Sequence, residues 1–146
     1  MSQPLTVLHV EDDPNDVLLL QRACRKAALT LNVVSASDGD KAVAYLSGAD
    51  GFSSREKFPM PHLILLDLKM PRKSGLEVLS WIRGQPELKR IVVCVFTSSR
   101  HDEDINSAYE LGANSYLVKP VGFDELVEMI RAVNNYWLTL NEMPSV

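Results

Sequence analysis

Apolar residues gather in five short runs, at positions 5–10, 31–36, 63–66, 91–96 and 115–118, each of strand length and bounded by polar or turn-forming residues. Between them the apolar positions recur with helical spacing. Val17, Leu20, Cys24 and Ala27 share one face of a segment that opens at Pro14, where Asp13 can cap the helix and proline suits its first turn. A second helix is predicted from about Asp38. A third is announced by Ser74-Gly75-Leu76-Glu77, the spacing of a reciprocal capping box, with Leu76, Leu79 and Ile82 following on one face. A fourth runs from about Asp102 to Leu111 and stops at Gly112, and a fifth runs from Phe123 through Leu126, Ile130, Val133 and Trp137. Strands alternating with helices predict an α/β domain on a mostly parallel sheet.

Two stretches break the rhythm. Residues 47–61 (SGADGFSSREKFPMP) have the glycine, serine and proline content of a long surface loop, a length that is either functional or an ordinary excursion. Residues 134–146 carry Tyr136, Trp137, Leu138, Leu140 and Met143, too apolar for a solvated end, so this tail is expected to pack back on the domain or to meet another chain.

Composition narrows the class. The 146 residues are 46% apolar and 23% charged, enough for one domain with a substantial core and too few for a second. The net charge is −4 and lysine and arginine form no cluster, which predicts no nucleic-acid partner. No run approaches the ~20 apolar residues of a membrane span and the start lacks signal-peptide features, so no membrane association and a cytoplasmic location are expected. Cys24 and Cys94 lie inside apolar patterns without metal-ligand spacing and are expected to be reduced core thiols. His9, His62 and His101 share no spacing, and structural or solvated roles are expected for them.

The polar residues at the ends of the apolar runs carry the chemistry. Asp67 ends Leu63-Ile64-Leu65-Leu66, Glu11-Asp12-Asp13 follow the first run, Thr97 follows the fourth and Lys119 the fifth. In an open parallel sheet, reactive groups gather beyond the carboxyl ends of the strands. Clustered carboxylates resist joint ionisation unless a cation sits between them, and hard oxygen donors suit Mg²⁺. With Lys119 adding positive charge, Asp67 is placed to attack a phosphoryl group in line, and Thr97 to donate a hydrogen bond to a phosphoryl oxygen. Asp13 reads as a helix cap rather than a ligand.

These motifs, Val10-Glu11-Asp12-Asp13, Leu65-Leu66-Asp67-Leu68-Lys69-Met70-Pro71 with Gly75 following, Phe96-Thr97-Ser98 and Tyr116-Leu117-Val118-Lys119-Pro120, in this order and at these spacings resemble the receiver domains of two-component response regulators. The resemblance spans about residues 5–134. It implies a flavodoxin-like (CheY-like) doubly wound α/β fold with five parallel strands ordered 2-1-3-4-5 and five helices, the whole chain forming one receiver domain with an apolar C-terminal extension over 134–146. It makes Asp67 the phosphoacceptor. It gives Asp12, Asp67 and the Lys69 backbone carbonyl to Mg²⁺, with Glu11 holding metal-bound water. Thr97 and Lys119 would bind the phosphoryl group, and Tyr116 matches the aromatic residue whose rotamer follows phosphorylation. Lys69 and Ser99, two residues beyond Asp67 and Thr97, would tune phosphoryl loss, and the Lys119-Pro120 peptide would be cis. The implied partner is a sensor histidine kinase. The long loop and the Tyr136-Trp137-Leu138 tail also resemble the small regulators that accompany bacterial phytochromes. With no output domain expected after Asn134, the signal would leave by protein contacts: a histidine phosphotransfer protein, the kinase itself or a homodimer partner.

Two rivals share parts of this pattern. A Mg²⁺-dependent phosphatase of haloacid-dehalogenase type would carry an aspartate two residues after its nucleophile, where this chain has Lys69. A flavodoxin-like FMN binder would need a phosphate-cradling loop after the first strand, where Glu11-Asp12-Asp13 would repel phosphate.

Overall fold

The computed structural model describes residues 4–145; residues 1–3 and 146, the last of the predicted tail, lie outside it. Five parallel strands form one sheet: β1 (Thr6–Val10), β2 (Asn32–Ala36), β3 (Leu63–Leu66), β4 (Val92–Thr97) and β5 (Ser115–Val118), ordered β2-β1-β3-β4-β5. Helices α1 (Pro14–Lys26), α2 (Gly39–Ser47), α3 (Gly75–Gly84) and α4 (Asp102–Glu110) make the four crossovers, and α5 (Phe123–Val133) follows β5, as the alternating pattern requires. The predicted strand order and helix count hold.

β1, β3 and β4 are buried throughout and read as continuous apolar runs because both sheet faces are covered. Alternate residues divide between two cores. Val7, Leu63, Leu65, Cys94 and Phe96 pack with α1 and α5, while Leu8, Val10, Ile64, Leu66 and Val93 pack with α2 and α3. Cys24 and Cys94 are both free thiols buried in the first core, and burial raises both pKa values, Cys94 to about 11.

The helix ends follow their local chemistry. Asp13 caps α1 by accepting the Asn15 N–H at 2.9 Å, Asp38 caps α2 by accepting the Lys41 N–H at 2.8 Å, and the Ser74/Glu77 capping box opens α3 with both bonds at 3.3 Å. Gly48, at φ +78°, closes α2 in the left-handed conformation.

The long loop is a plug. Phe52 and Phe58 pack edge-on, 5.0 Å apart, against Tyr45 of α2, whose hydroxyl donates to the Pro59 carbonyl at 2.7 Å. The Arg55 guanidinium donates to the carbonyls of Tyr45 and Leu46 in the last turn of α2 and to the Phe58 carbonyl of the loop, tying the loop to the helix end.

The fifth helix was expected to continue to Trp137. It instead widens into a π-helical segment over Asn134–Leu140, marked by the bond from the Asn141 N–H to the Tyr136 carbonyl at 2.7 Å. Each π-turn takes in an extra residue, so Leu138, five residues past Val133, returns to the core beside it. Leu138, Trp137 and Met143 thus pack back on the α1/α5 core, while Tyr136 and Leu140 stay 55% and 65% exposed. No helix among the described residues is long and apolar enough to cross a membrane.

His62 accepts the Thr6 N–H on Nδ1 at 3.0 Å, and His101 lies exposed at the start of α4. His9, in β1, is 1% exposed and neither ring nitrogen has a partner among the described residues. Its burial, then the charge of Lys119, lower its pKa to about 4, so the native imidazole is neutral where the unfolded one titrates near 6.5. Below that value the unfolded chain binds a proton the native state refuses. Stability should therefore fall with pH between 6.5 and 4, by up to about 3 kcal/mol from this residue. Denaturation curves across this range should flatten in His9→Leu; the same slope in both proteins would assign the acid sensitivity elsewhere.

Candidate functional site

The ladder of the sheet continues one residue past its strands and fixes the backbone of the site. The Glu11 N–H bonds the Ala36 carbonyl at 2.9 Å, the Asp67 N–H the Val10 carbonyl at 3.1 Å, and the Lys119 N–H the Thr97 carbonyl at 2.8 Å. Glu11, Asp67, Thr97 and Lys119 are thereby set along the carboxyl edge. Gly75, the first residue of α3, sits tightly under Asp67: its N–H bonds the Leu68 carbonyl at 3.1 Å, and an added Cβ would collide with the Asp67 carbonyl and lie 2.7 Å from the Leu68 Cα.

Carboxylate oxygens of Glu11, Asp12 and Asp67 lie within 4.8 Å of one another. Glu11 and Asp67 are buried, 1% and 6% exposed, while Asp12 is open to solvent. The Lys119 ammonium enters this acidic cluster, bonding Glu11 Oε1 at 2.5 Å, Asp16 Oδ2 at 2.8 Å and Asp67 Oδ2 at 3.3 Å. Burial lowers the affinity of Lys119 for its proton, but the bonds to Asp16 and Glu11 and the charge of Asp67 outweigh it and raise its pKa. Glu11 moves the other way from an ordinary carboxylate: burial pushes it up to about 7 against the pull of Lys119 and the Asp13 N–H, and Asp67 adds repulsion. A cation among these oxygens would relieve that strain of charge.

Thr97 is fully buried and its hydroxyl has no partner among the described residues. An orphaned hydroxyl beside a charged cluster costs free energy unless a ligand takes it up. Lys69 points its N–H at Asp67 Oδ1, 3.3 Å, while its ammonium pairs with Asp104 Oδ2, also 3.3 Å. Ser99 donates from its hydroxyl to the same Asp104 oxygen, and its carbonyl accepts from the Tyr116 hydroxyl at 3.0 Å.

The cis peptide implied at Lys119-Pro120 is corrected: no peptide bond among the described residues is cis. An X-Pro bond favours trans by about 0.5–1 kcal/mol, and from a trans backbone the lysine stem already reaches three carboxylates. Asp16 and Asp104 join the site without having been anticipated. Asp16 is four residues past Asp12 in the first turn of α1, a spacing that could have placed it on the same side. Asp104 was hidden among the acidic residues Asp102, Glu103 and Asp104, an ordinary pattern for a helix N-terminus.

A parallel five-stranded sheet with this acidic edge and its lysine is the architecture of a signalling receiver. Residues 7–131 match the family described as response regulator receiver domain, and the chain belongs to that family, which acts in two-component signalling and partners with histidine kinases. It is 36% identical over 142 residues to the response regulator Rcp1 of Synechocystis sp., covering 97% of this chain and 95% of that protein. The structure of the phosphorylated cyanobacterial phytochrome response regulator RcpA superposes with a TM-score of 0.90 at 34% identity, covering 98% of this chain and all of that one. The Mn²⁺-bound form of Rcp1 superposes with a TM-score of 0.85 at 36% identity, covering 97% of this chain and 100% of that one.

The close approach of α3 to the site is testable. Gly75→Ala should cost about 2–3 kcal/mol, because its Cβ meets backbone that cannot yield without moving Asp67. Gly84→Ala, at the open end of the same helix with nothing within 4 Å, should be neutral or stabilise by up to about 1 kcal/mol. Chemical denaturation of both variants measures the contrast, and equal effects would remove the steric account.

Proposed function

We propose that residues 1–146 form one receiver domain, core about 5–134 with the apolar extension beyond it, that takes a phosphoryl group from a histidine kinase onto Asp67 in a Mg²⁺-dependent reaction. The observation that carries this reading is the convergence of the Glu11, Asp12 and Asp67 oxygens, the Lys119 ammonium and the orphaned Thr97 hydroxyl at one sheet edge.

The donor set fits Mg²⁺, being hard oxygen throughout with one carboxylate open to water. Asp12, Asp67 and the Lys69 carbonyl would hold the ion directly. Both Glu11 oxygens are already engaged, by Lys119 and by the Asp13 N–H at 3.1 Å, which suits Glu11 to orienting metal-bound water rather than to direct ligation. The ion would neutralise phosphoryl oxygens and so lower the cost of bringing a phosphate to a carboxylate.

An Asp67 oxygen attacks phosphorus as the P–N bond to the donor imidazole breaks, leaving an acyl phosphate on the aspartate and returning the electron pair to the imidazole nitrogen. Lys119 and the Lys69 N–H hold one carboxylate oxygen each, which fixes the plane of attack. Thr97 donates to one phosphoryl oxygen and Lys119 pairs with another. Drawing Thr97 and Lys119 onto the new group repacks the α4, β5 and α5 face, and Tyr116, tied to the Ser99 carbonyl, follows. Lys69 and Ser99 tune the return to the free carboxylate. This is a switch that assists its own modification rather than a conventional enzyme.

The likeness to Rcp1 and RcpA supports a phytochrome as the kinase partner. A histidine phosphotransfer protein and a second copy of this chain, meeting the exposed Tyr136 and Leu140, are the further proposed contacts. The domain acts in the cytoplasm, away from nucleic acid and membrane.

Incubation with acetyl phosphate and Mg²⁺ should add one phosphate to the intact mass, labile to hydroxylamine. It should be lost in Asp67→Asn and when the metal is chelated. An adduct that persists in Asp67→Asn would move the phosphoacceptor to another residue.

A further inference from the structure

Asp104 lies outside the motifs that define the receiver family, yet one of its oxygens joins three segments around the site. Oδ2 accepts from the Ser99 hydroxyl at 2.5 Å and pairs with the Lys69 ammonium at 3.3 Å. These two partners stand two residues past Thr97 and two residues past Asp67, so one carboxylate holds both positions that flank a phosphoryl group on Asp67. The Asp104 side chain is 16% exposed against 65% for Lys69, so the carboxylate is the more buried member of the pair and the ammonium the more exposed. The Ser99 hydroxyl, then Lys69, hold the Asp104 carboxyl below the usual range, so it is charged at neutral pH.

Lys69 is thereby divided. Its backbone N–H serves Asp67, while its ammonium is turned to α4 and makes no ion pair with Asp67, whose cationic partner is Lys119. Asp104 is thus the carboxylate that pairs with the Lys69 ammonium, although Lys69 stands only two residues past Asp67.

We propose that Asp104 is a positioning residue that holds the Lys69 side chain away from Asp67 and so keeps the path of water to the acyl phosphate open, shortening the life of the phosphorylated state. The proposal rests on Asp67 being the phosphoacceptor. In the step it governs, a water oxygen bonds to phosphorus as the bond between phosphorus and the Asp67 oxygen breaks; the electron pair of that bond returns to the free carboxylate, and inorganic phosphate leaves as dihydrogen phosphate carrying both hydrogens of the water. Neutralising Asp104 leaves the phosphoryl group as the nearest anion for Lys69, whose four-carbon stem then covers the approach of water.

The test follows decay of the phosphate adduct by intact mass, after acetyl phosphate is removed, in the unmodified chain, Asp104→Asn, Asp104→Glu, Lys69→Met and Lys69→Met with Asp104→Asn. Asp104→Asn should lengthen the half-life by about threefold or more, the scale of a partly exposed ion pair, and Asp104→Glu should restore decay toward the original rate. In the Lys69→Met background Asp104→Asn should change nothing, a coupling that a merely structural role for Asp104 would not produce. Thermal melts establish that each variant is folded. Adducts that decay equally in the unmodified chain and Asp104→Asn, or an effect of Asp104→Asn that persists without Lys69, would overturn this proposal alone. No adduct on the unmodified chain would overturn the phosphoacceptor reading and this one with it.

Discussion

One ammonium makes the site possible. The strands deliver Glu11 and Asp67 as buried carboxylates, with Asp16 at their side, and Lys119 bonds all three. Carboxylates this close would otherwise drive protons onto one another or pull the strand ends apart. The parallel sheet is what lets a residue from the edge strand β5 meet residues following β1 and β3, because every strand ends on the same side. A buried ion cluster of this kind is weak ground for stability, since desolvation consumes most of the attraction. Its value is that it holds positive charge in readiness, with Lys119 standing where a metal cation would otherwise have to compensate the acids.

The amino-acid sequence made the fold legible where one force dominated. β3 and β5 fall at their predicted bounds because short apolar runs between polar ends have few other solutions, and α1 and α3 begin at their capping residues. The strand-end residues were legible because a charged group ending a buried run has no packing role to explain it. Legibility failed where two patterns look alike. Asp16 and Asp104 are acidic residues in first turns, indistinguishable by type from ordinary helix-end charges, and only the contacts with Lys119, Ser99 and Lys69 set them apart. The π-helical turn hid because Trp137 is as apolar as Leu138, and periodicity alone favoured the regular helix. The role of residues 47–61 was hidden too, since Phe52 and Phe58 look like loop residues until they fold onto Tyr45.

Among the described residues two buried polar side chains lack partners, and they differ in kind. The Thr97 hydroxyl stands at the carboxyl edge beside the acidic cluster, where an incoming oxygen can satisfy it. The His9 imidazole lies one layer deeper, near Phe96 at 6.2 Å between ring centres, and nothing in the structure gives it a partner. It is tolerated by being neutral, and the Lys119 charge above it reinforces that neutrality. Beneath the site, His9 thus stays neutral at neutral pH while the ions gather at the edge.

Weak bonds tie this edge to the outer surface. Tyr116 is tied by one neutral hydrogen bond to the Ser99 carbonyl, and Ser99 and Lys69 are tied to α4 through Asp104. A neutral bond of this kind contributes on the order of 1 kcal/mol and a partly exposed ion pair less. The buried core strands beneath are far more costly to disturb, since each buried apolar side chain contributes about 1.5–3 kcal/mol. On the proposed reading, a phosphoryl group on Asp67 would therefore not need to deform the sheet. It would have only to outweigh two or three marginal contacts at the start of α4, and a gain of a few kcal/mol in charge-assisted bonds would be enough to shift that population. The division between a neutral, apolar floor and a loosely tied polar rim is what would allow a small charge at Asp67 to be felt at the surface.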